Sequence, residues 1–155
     1  MKLTTLLLLP TLALSAALVE RTPDADADAA IEEIDLHTHD ARATICGSGY
    51  TLDRAIPLPK GVDPNKRKAT IYAYGNGHGK GCVFLDNNVG KKQYMSIKVC
   101  KSGNKNCDSD AGNFGQYAGP VYVSSFACAP VTAKMGSSSS NLYVNYKSDY
   151  VFPCN

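Results

Sequence analysis

All six cysteines of this chain lie between Cys46 and Cys154. No two of them form a Cys-x-x-Cys pair, and His78 is the single histidine after residue 42, so the sequence disfavours a zinc site. An even number of cysteines behind a secretion signal is typical of a disulfide-bonded extracellular domain. We therefore predict three disulfides, no metal site and no cofactor.

The first 17 residues have the pattern of a secretory signal peptide. Lys2 precedes Leu3–Leu14, an apolar run without charge, and the small residues at positions 15–17 suit cleavage near Ala17. The run is shorter than the ~20 apolar residues that a membrane-spanning helix needs. The sequence therefore predicts a secreted, extracellular protein.

Residues 18–42 differ in composition from the rest of the chain. They carry eight carboxylates against two arginines, and they contain no aromatic residue and no cysteine. Such a segment buries too little apolar area to offset the entropy of ordering it. We predict an acidic, disordered pro-segment that is cut after Arg21 or Arg42; the alternative is a disordered tail that stays attached. Residues 43–155 would then form one domain.

The cysteine pairing is only partly determined by spacing, because six cysteines allow 15 connectivities. Cys100 and Cys107 flank a short polar loop, so closing it costs little, and we predict that this bridge stabilises the domain by roughly 2–3 kcal/mol. Four cysteines then remain. A Cys46–Cys154 bridge would tie the ends of the domain together, and Cys82–Cys128 would join two interior strands.

Short segments with alternating apolar and polar residues recur through the domain, and this period of two is typical of β-strands. The proline-containing segment Ala55–Lys68 is predicted to be an irregular loop, the polar residues after Asp108 a turn, and Gly136–Ser140 flexible. We predict an all-β fold, a small antiparallel β-sandwich or barrel stapled by three disulfides. The predicted strands are Ala69–Tyr74 and Cys82–Leu85, which form a hairpin, Tyr94–Cys100, Val121–Cys128, Asn141–Tyr146 and Tyr150–Phe152.

Three sequence blocks resemble a known family. They are Cys-Gly-Ser-Gly-Tyr from Cys46, Gly-Lys-Gly-Cys-Val from Gly79 and Tyr-Ala-Gly-Pro-Val-Tyr-Val from Tyr117. In this order, and with the later cysteines, they resemble the spore-associated protein A family of filamentous bacteria and its fungal relatives. The chain departs from that pattern at Gly81, where asparagine is expected, and in an added pair, Cys100 and Cys107. The resemblance implies a small secreted protein of a spore or cell surface, and it brings no catalytic residue.

Basic residues are the strongest functional signal of the domain. Residues 43–155 hold 13 Lys and Arg against six Asp, which gives a net charge of +7. The cations cluster in Lys66-Arg67-Lys68 and Lys91-Lys92, and Lys98, Lys101 and Lys105 could extend one side. Such clusters attract anionic polysaccharide, cell-wall or membrane surfaces, and we predict no specific nucleic-acid partner. The alternative is that they serve solubility and protect strand edges from pairing.

Candidate catalytic groups are few. Residues 43–155 contain no glutamate, and Asp108 and Asp110 are the only carboxylates close in sequence. We predict that they cap a turn; the alternative is a calcium site with Asn106. His78 lies in a glycine-rich loop and is predicted to be exposed, with a general base as the alternative.

These observations favour a secreted, non-enzymatic β-protein that binds at a spore, cell or host surface, and we predict no catalytic residue. One alternative is an effector or toxin that acts on a host or competitor. The least favoured alternative is a small secreted hydrolase that uses His78 with an aspartate.

Overall fold

Eight β-strands make up most of residues 45–154, which are the residues that the computed structural model describes. One turn of 3-10 helix, Pro64–Lys66, follows the first strand. In chain order the strands are β1 (Thr51–Leu58), β2 (Ala69–Gly75), β3 (Gly81–Asn87), β4 (Gln93–Lys101), β5 (Lys105–Phe114), β6 (Tyr117–Val123), β7 (Val131–Ser138) and β8 (Asn141–Ser148).

The strands form two four-stranded sheets that pack face to face. Sheet A has the order β1-β2-β3-β6, and sheet B has the order β5-β4-β7-β8. All neighbouring strands are antiparallel. The predicted all-β class is therefore confirmed, and of the two predicted architectures the structure has the sandwich.

The core lies between the two sheets and follows from the alternation within the strands. In β4, the buried residues Met95, Ile97 and Val99 alternate with side chains on the outer face of sheet B. The strands β2, β3, β6 and β7 contribute inward residues in the same way. Burial of this apolar area is the main favourable contribution to folding. The largest core side chains are Leu58, Ile71, Leu85, Met95, Ile97, Met135 and Phe152.

A second buried cluster lies on the outer face of sheet A. Phe84 is 0% exposed and stacks on Tyr72 and Tyr74, with ring centroids 5.3 and 6.0 Å apart. The ring of Tyr117 meets Phe84 edge-on at 5.9 Å. The Cys46–Cys82 disulfide belongs to this cluster, so it holds the start of the described chain against sheet A.

Three disulfides are present, but two of the three predicted pairings are wrong. Cys100 is bridged to Cys107, as the short loop predicts. Cys46 is bridged to Cys82 instead of Cys154, and Cys128 is bridged to Cys154 instead of Cys82.

The physical reason for these pairings is the path of the chain. Cys82 lies opposite Tyr122 in the outer aromatic layer, and the Tyr122 hydroxyl donates to the Cys46 carbonyl at 3.5 Å. The C-terminal segment instead runs beside residues 128–129: the Cys128 N–H donates to the Pro153 carbonyl, and the Val151 N–H donates to the Ala129 carbonyl. Each end of the described chain is therefore bridged to the segment beside it. Cys46 is bonded to Cys82 of β3, and Cys154 is bonded to Cys128 in the connection between β6 and β7.

Several strand predictions need correction. Thr51–Leu58 is a strand, although its second half was predicted to be a loop, because Ile56 and Leu58 face the core. The residues after Asp108 are part of strand β5. Strand β6 ends at Val123, before Cys128, and Tyr150–Phe152 is not a strand, because Val151 and Phe152 form a bend. Residues 136–138 belong to β7, a strand that the sequence did not predict.

The predicted signal peptide (1–17) and the acidic pro-segment (18–42) lie outside the described residues, as do the cleavage sites proposed for them. Across residues 45–154 we find no helix with the length and apolar character that a membrane crossing needs.

Candidate functional site

The first basic cluster, Lys66-Arg67-Lys68, lies between the 3-10 helix and β2. The Asp63 carboxylate accepts a hydrogen bond from the Asn65 N–H at 3.0 Å and so begins this helical turn. The Lys68 N–H donates to the Leu58 carbonyl at 2.7 Å, which brings the loop back to the end of β1. Lys66 and Lys68 are exposed and Arg67 is half-buried.

The turn between β3 and β4 brings the second cluster, Lys91-Lys92, beside the first. The Asn88 N–H donates to the Lys68 carbonyl at 3.0 Å. The Asn87 amide donates to the Lys91 carbonyl at 2.9 Å and to the Gly115 carbonyl at 3.0 Å, which fixes the turn. The five predicted cations therefore lie at one end of the sandwich, which we call the basic end: Lys66, Arg67, Lys68, Lys91 and Lys92.

None of these five residues is part of a β-strand. Protection of strand edges, one of the alternatives for these lysines, therefore does not explain their positions. Lys101 and Lys105 do not extend the basic end. Strand β4 begins at the basic end, directly after Lys92, and ends at Lys101. At about 3.3 Å per residue, its nine residues place Lys101 roughly 30 Å from the basic end. Lys98 lies on the outer face of sheet B.

A cleft opens between the two edge strands β1 and β8, with a volume of about 380 Å³. We call it the edge cleft. Three cations line it, and Arg67 also belongs to the basic end, so the two features are continuous. Among the described residues that line the cleft there is no carboxylate. The lining side chains that matter most for its chemistry are Arg54, Lys60, Arg67, Tyr146 and Tyr150.

Two of the cations in the edge cleft lie over aromatic rings. The Lys60 ammonium is 4.9 Å from the centroid of Tyr146, and the guanidinium carbon of Arg54 is 6.0 Å from the centroid of Tyr150. A cation over a tyrosine face is attracted by about 0.5–1 kcal/mol at exposed positions. These contacts favour a few side-chain positions for flexible cations without neutralising their charge.

Sequence reasoning did not identify the tyrosines or two of the cations of the edge cleft. Lys60 lies within the segment Ala55–Lys68 that was predicted to be a loop, Arg54 immediately precedes it, and both cations are isolated in sequence. Tyr146 and Tyr150 come from the other end of the domain, so no spacing pattern connects the two pairs. The sequence signal for the edge cleft is the absence of acidic residues from 54 to 62, a stretch that contains both Arg54 and Lys60.

A second cleft, of about 420 Å³, lies at the opposite end of the sandwich. Tyr50 and Tyr122 line it together with Lys80 and Lys101, and the two rings meet edge-on at 6.2 Å. Burial raises the pKa of the Tyr122 hydroxyl above its ordinary value, and the neighbouring Tyr50 and Asp108 raise it further. Only two cations line this cleft, so it is a weaker anion site than the edge cleft.

Asp108 and Asp110 join the two sheets rather than cap a turn. They alternate along β5 and lie opposite the core residues Val99 and Ile97 of β4, so they face inward. The Asp108 carboxylate accepts from the Tyr122 N–H and the Asp110 carboxylate accepts from the Gly119 N–H, each at 2.8 Å. Carboxylates of sheet B thus satisfy backbone donors at the edge of sheet A.

No three His, Cys, Asp or Glu side chains among residues 45–154 are grouped so that they could hold a metal ion. In the alternative calcium site with Asn106, both carboxylates, Asp108 and Asp110, are already engaged by backbone N–H donors of β6, which disfavours that alternative. His78 is exposed in the loop between β2 and β3, as predicted, and its backbone N–H donates to the Asn76 side chain at 2.9 Å. His78 lies outside the described lining of the edge cleft.

These features define a small disulfide-bonded β-sandwich with a cationic end. Over 82 residues the chain is 34% identical to spore-associated protein A of Streptomyces coelicolor, which confirms the predicted resemblance. The match covers 52% of this chain and 49% of that protein, so the chain spans about half the length of the curated relative. No protein-family model matches the chain. No solved structure matches it either.

Proposed function

We propose that this protein is secreted and acts without catalysis, by binding an anionic polymer at a spore, cell or host surface through its basic end. The observation that carries the proposal is the convergence of two separate basic clusters. Hydrogen bonds from Asn87 and Asn88 hold Lys91 and Lys92 beside Lys66-Arg67-Lys68. Grouped cations raise the local concentration of anionic partners and speed their association.

The fold supports an extracellular setting. Three disulfides within a domain of this size are typical of proteins that work outside the cell, where the oxidising environment lets disulfides form and persist. The similarity to spore-associated protein A favours a surface as the place of action. The binding partner that fits both points is an anionic cell-wall polysaccharide.

Adsorption of the purified protein to insoluble polysaccharides tests the proposal. We expect adsorption to cross-linked polygalacturonate and weak adsorption to neutral cellulose. Because exposed charges farther apart than about 8 Å are screened at physiological ionic strength, adsorption should fall as salt rises. The triple change Lys66→Glu, Arg67→Glu and Lys68→Glu should abolish it at low salt.

The chain offers a matched control for charge. Lys80→Glu, Lys101→Glu and Lys105→Glu change the net charge by the same amount at the opposite end of the sandwich. We expect this variant to keep most of its adsorption. Equal loss in both variants would show that net charge alone is responsible, and adsorption by the first variant at the level of the parent would refute the role of the basic end.

A further inference from the structure

We propose that the edge cleft is a specific subsite for one acidic sugar residue, a pyranose ring that carries a carboxylate. This inference rests on the proposed function and deepens it: the basic end attracts the polymer, and the edge cleft recognises one of its units. The cleft lies between β1 and β8 and continues from the basic end through Arg67.

The charges in the edge cleft favour a carboxylate ligand. Arg54, Lys60 and Arg67 line it, with no carboxylate among its described lining residues. Guanidinium groups bind planar carboxylates through two parallel hydrogen bonds, and arginine supplies two of the three cations. Tyr150 and Tyr146 lie next to Arg54 and Lys60, so both cations are held near the cleft before any ligand arrives.

The rest of the lining favours a ligand with a ring rather than a bare anion. Pro57 and Pro59 provide apolar wall, and the two tyrosines add aromatic surface with hydroxyl groups. Rings of this kind combine an apolar body with a polar handle, which suits the mixed C–H and O–H surface of a sugar. Both strands that flank the cleft are sheet edges, so their outer backbone groups can bond to sugar hydroxyls.

The size of the edge cleft limits what it can hold. Ligand pockets have volumes of about 300–1,000 Å³, and the edge cleft, at about 380 Å³, is near the lower limit. It therefore suits one unit of a polymer whose other units extend into solvent or along the basic end.

Calorimetric titration of the full protein with short oligomers of galacturonate, glucuronate and mannuronate tests the inference. We expect at least one uronate trimer to bind at low salt and its neutral methyl ester to bind at least about tenfold more weakly, because the ester loses the charge-assisted hydrogen bonds. Inorganic phosphate should also bind at least about tenfold more weakly, since it has no ring to contact the apolar wall.

Two pairs of substitutions separate the cleft from general charge. Arg54→Gln with Arg67→Gln removes both guanidinium groups from the edge cleft, whereas Lys66→Gln with Lys68→Gln removes the same charge next to it. We expect the first pair to weaken trimer binding at least about tenfold and the second less than about threefold. The exposed Lys60→Gln is a third variant, with a minimal risk to folding, and should also weaken binding.

Equal weakening by the two pairs would overturn the inference, and so would phosphate that binds as tightly as the trimers. If no trimer binds but polygalacturonate still adsorbs the protein, the subsite is refuted and the proposed function remains. If neither the trimers nor the polymer bind, both are refuted.

Discussion

Removing Asp108 and Asp110 together should loosen the sandwich along the edge where β5 meets β6. Each carboxylate accepts one backbone N–H of β6 at 2.8 Å. Hydrogen bonds to charged groups contribute about 1.5–3 kcal/mol when buried. Asp108 is exposed and Asp110 is half-buried, so we expect about 1 kcal/mol for Asp108→Ala and about 1–2 kcal/mol for Asp110→Ala after allowing for solvent.

Thermal unfolding measures the effect. A loss of 1 kcal/mol lowers the midpoint by about 4–8 °C in a domain of this size, so the double variant should unfold roughly 10 °C or more below the parent. Asp53→Ala with Asp149→Ala is the matched control, because both residues are exposed and their loss changes the charge equally. The control should stay within about 0.5 kcal/mol of the parent per residue. If the two double variants unfold at the same temperature, these carboxylates do not hold the sheets together.

Three further predictions concern single positions. A Cβ at Gly81 would lie 2.7 Å from the buried Phe152 ring, so Gly81→Asn should lower the free energy of unfolding in denaturant by about 1–3 kcal/mol. Gly115→Asn is the control and should change this free energy little, because a Cβ at Gly115 would meet no atom within 4 Å. Burial raises the pKa of the Tyr122 hydroxyl, so this hydroxyl keeps its proton in the folded state at a pH near 10, where the unfolded chain releases it. The free energy of unfolding should therefore fall as the pH rises above about 10. Tyr122→Phe should make this fall shallower in melts at about pH 9–11, and an unchanged pH dependence would contradict the assignment. His78→Ala should leave adsorption unchanged, whereas a fall of about a hundredfold in the rate of polysaccharide hydrolysis would support the hydrolase alternative.

The sequence predicted the fold class where the strands alternate clearly. Strand β4 has apolar residues at every second position, so its period was visible. Strand β5 was missed because its inward positions carry Asp108 and Asp110, whose carboxylates accept hydrogen bonds from backbone N–H groups of the other sheet. Strand β1 was missed because Pro57 and Pro59 suggested a loop, although an edge strand tolerates proline.

The candidate site was predictable to the extent that it is local in sequence. The runs Lys66-Arg67-Lys68 and Lys91-Lys92 were visible as clusters, but their meeting depends on hydrogen bonds from Asn87 and Asn88. The edge cleft combines residues of β1, the following loop and the end of β8, so only the packing of the sheets brings them together. The disulfide pairings failed for the same reason: locality determined Cys100–Cys107, and the chain path determined the other two.

Amide-resolved NMR during titration with a uronate oligomer tests the central claim most directly, because it reports the contact surface residue by residue. The account predicts that the largest shift changes fall in residues 54–68, 87–92 and 146–150, which contain the basic end and the edge cleft. The cleft at the opposite end, with Tyr50, Lys80 and Tyr122, should change little. Shift changes centred on that opposite cleft, or spread evenly over all lysines, would contradict the claim that this protein binds anionic polymers through one end of its sandwich.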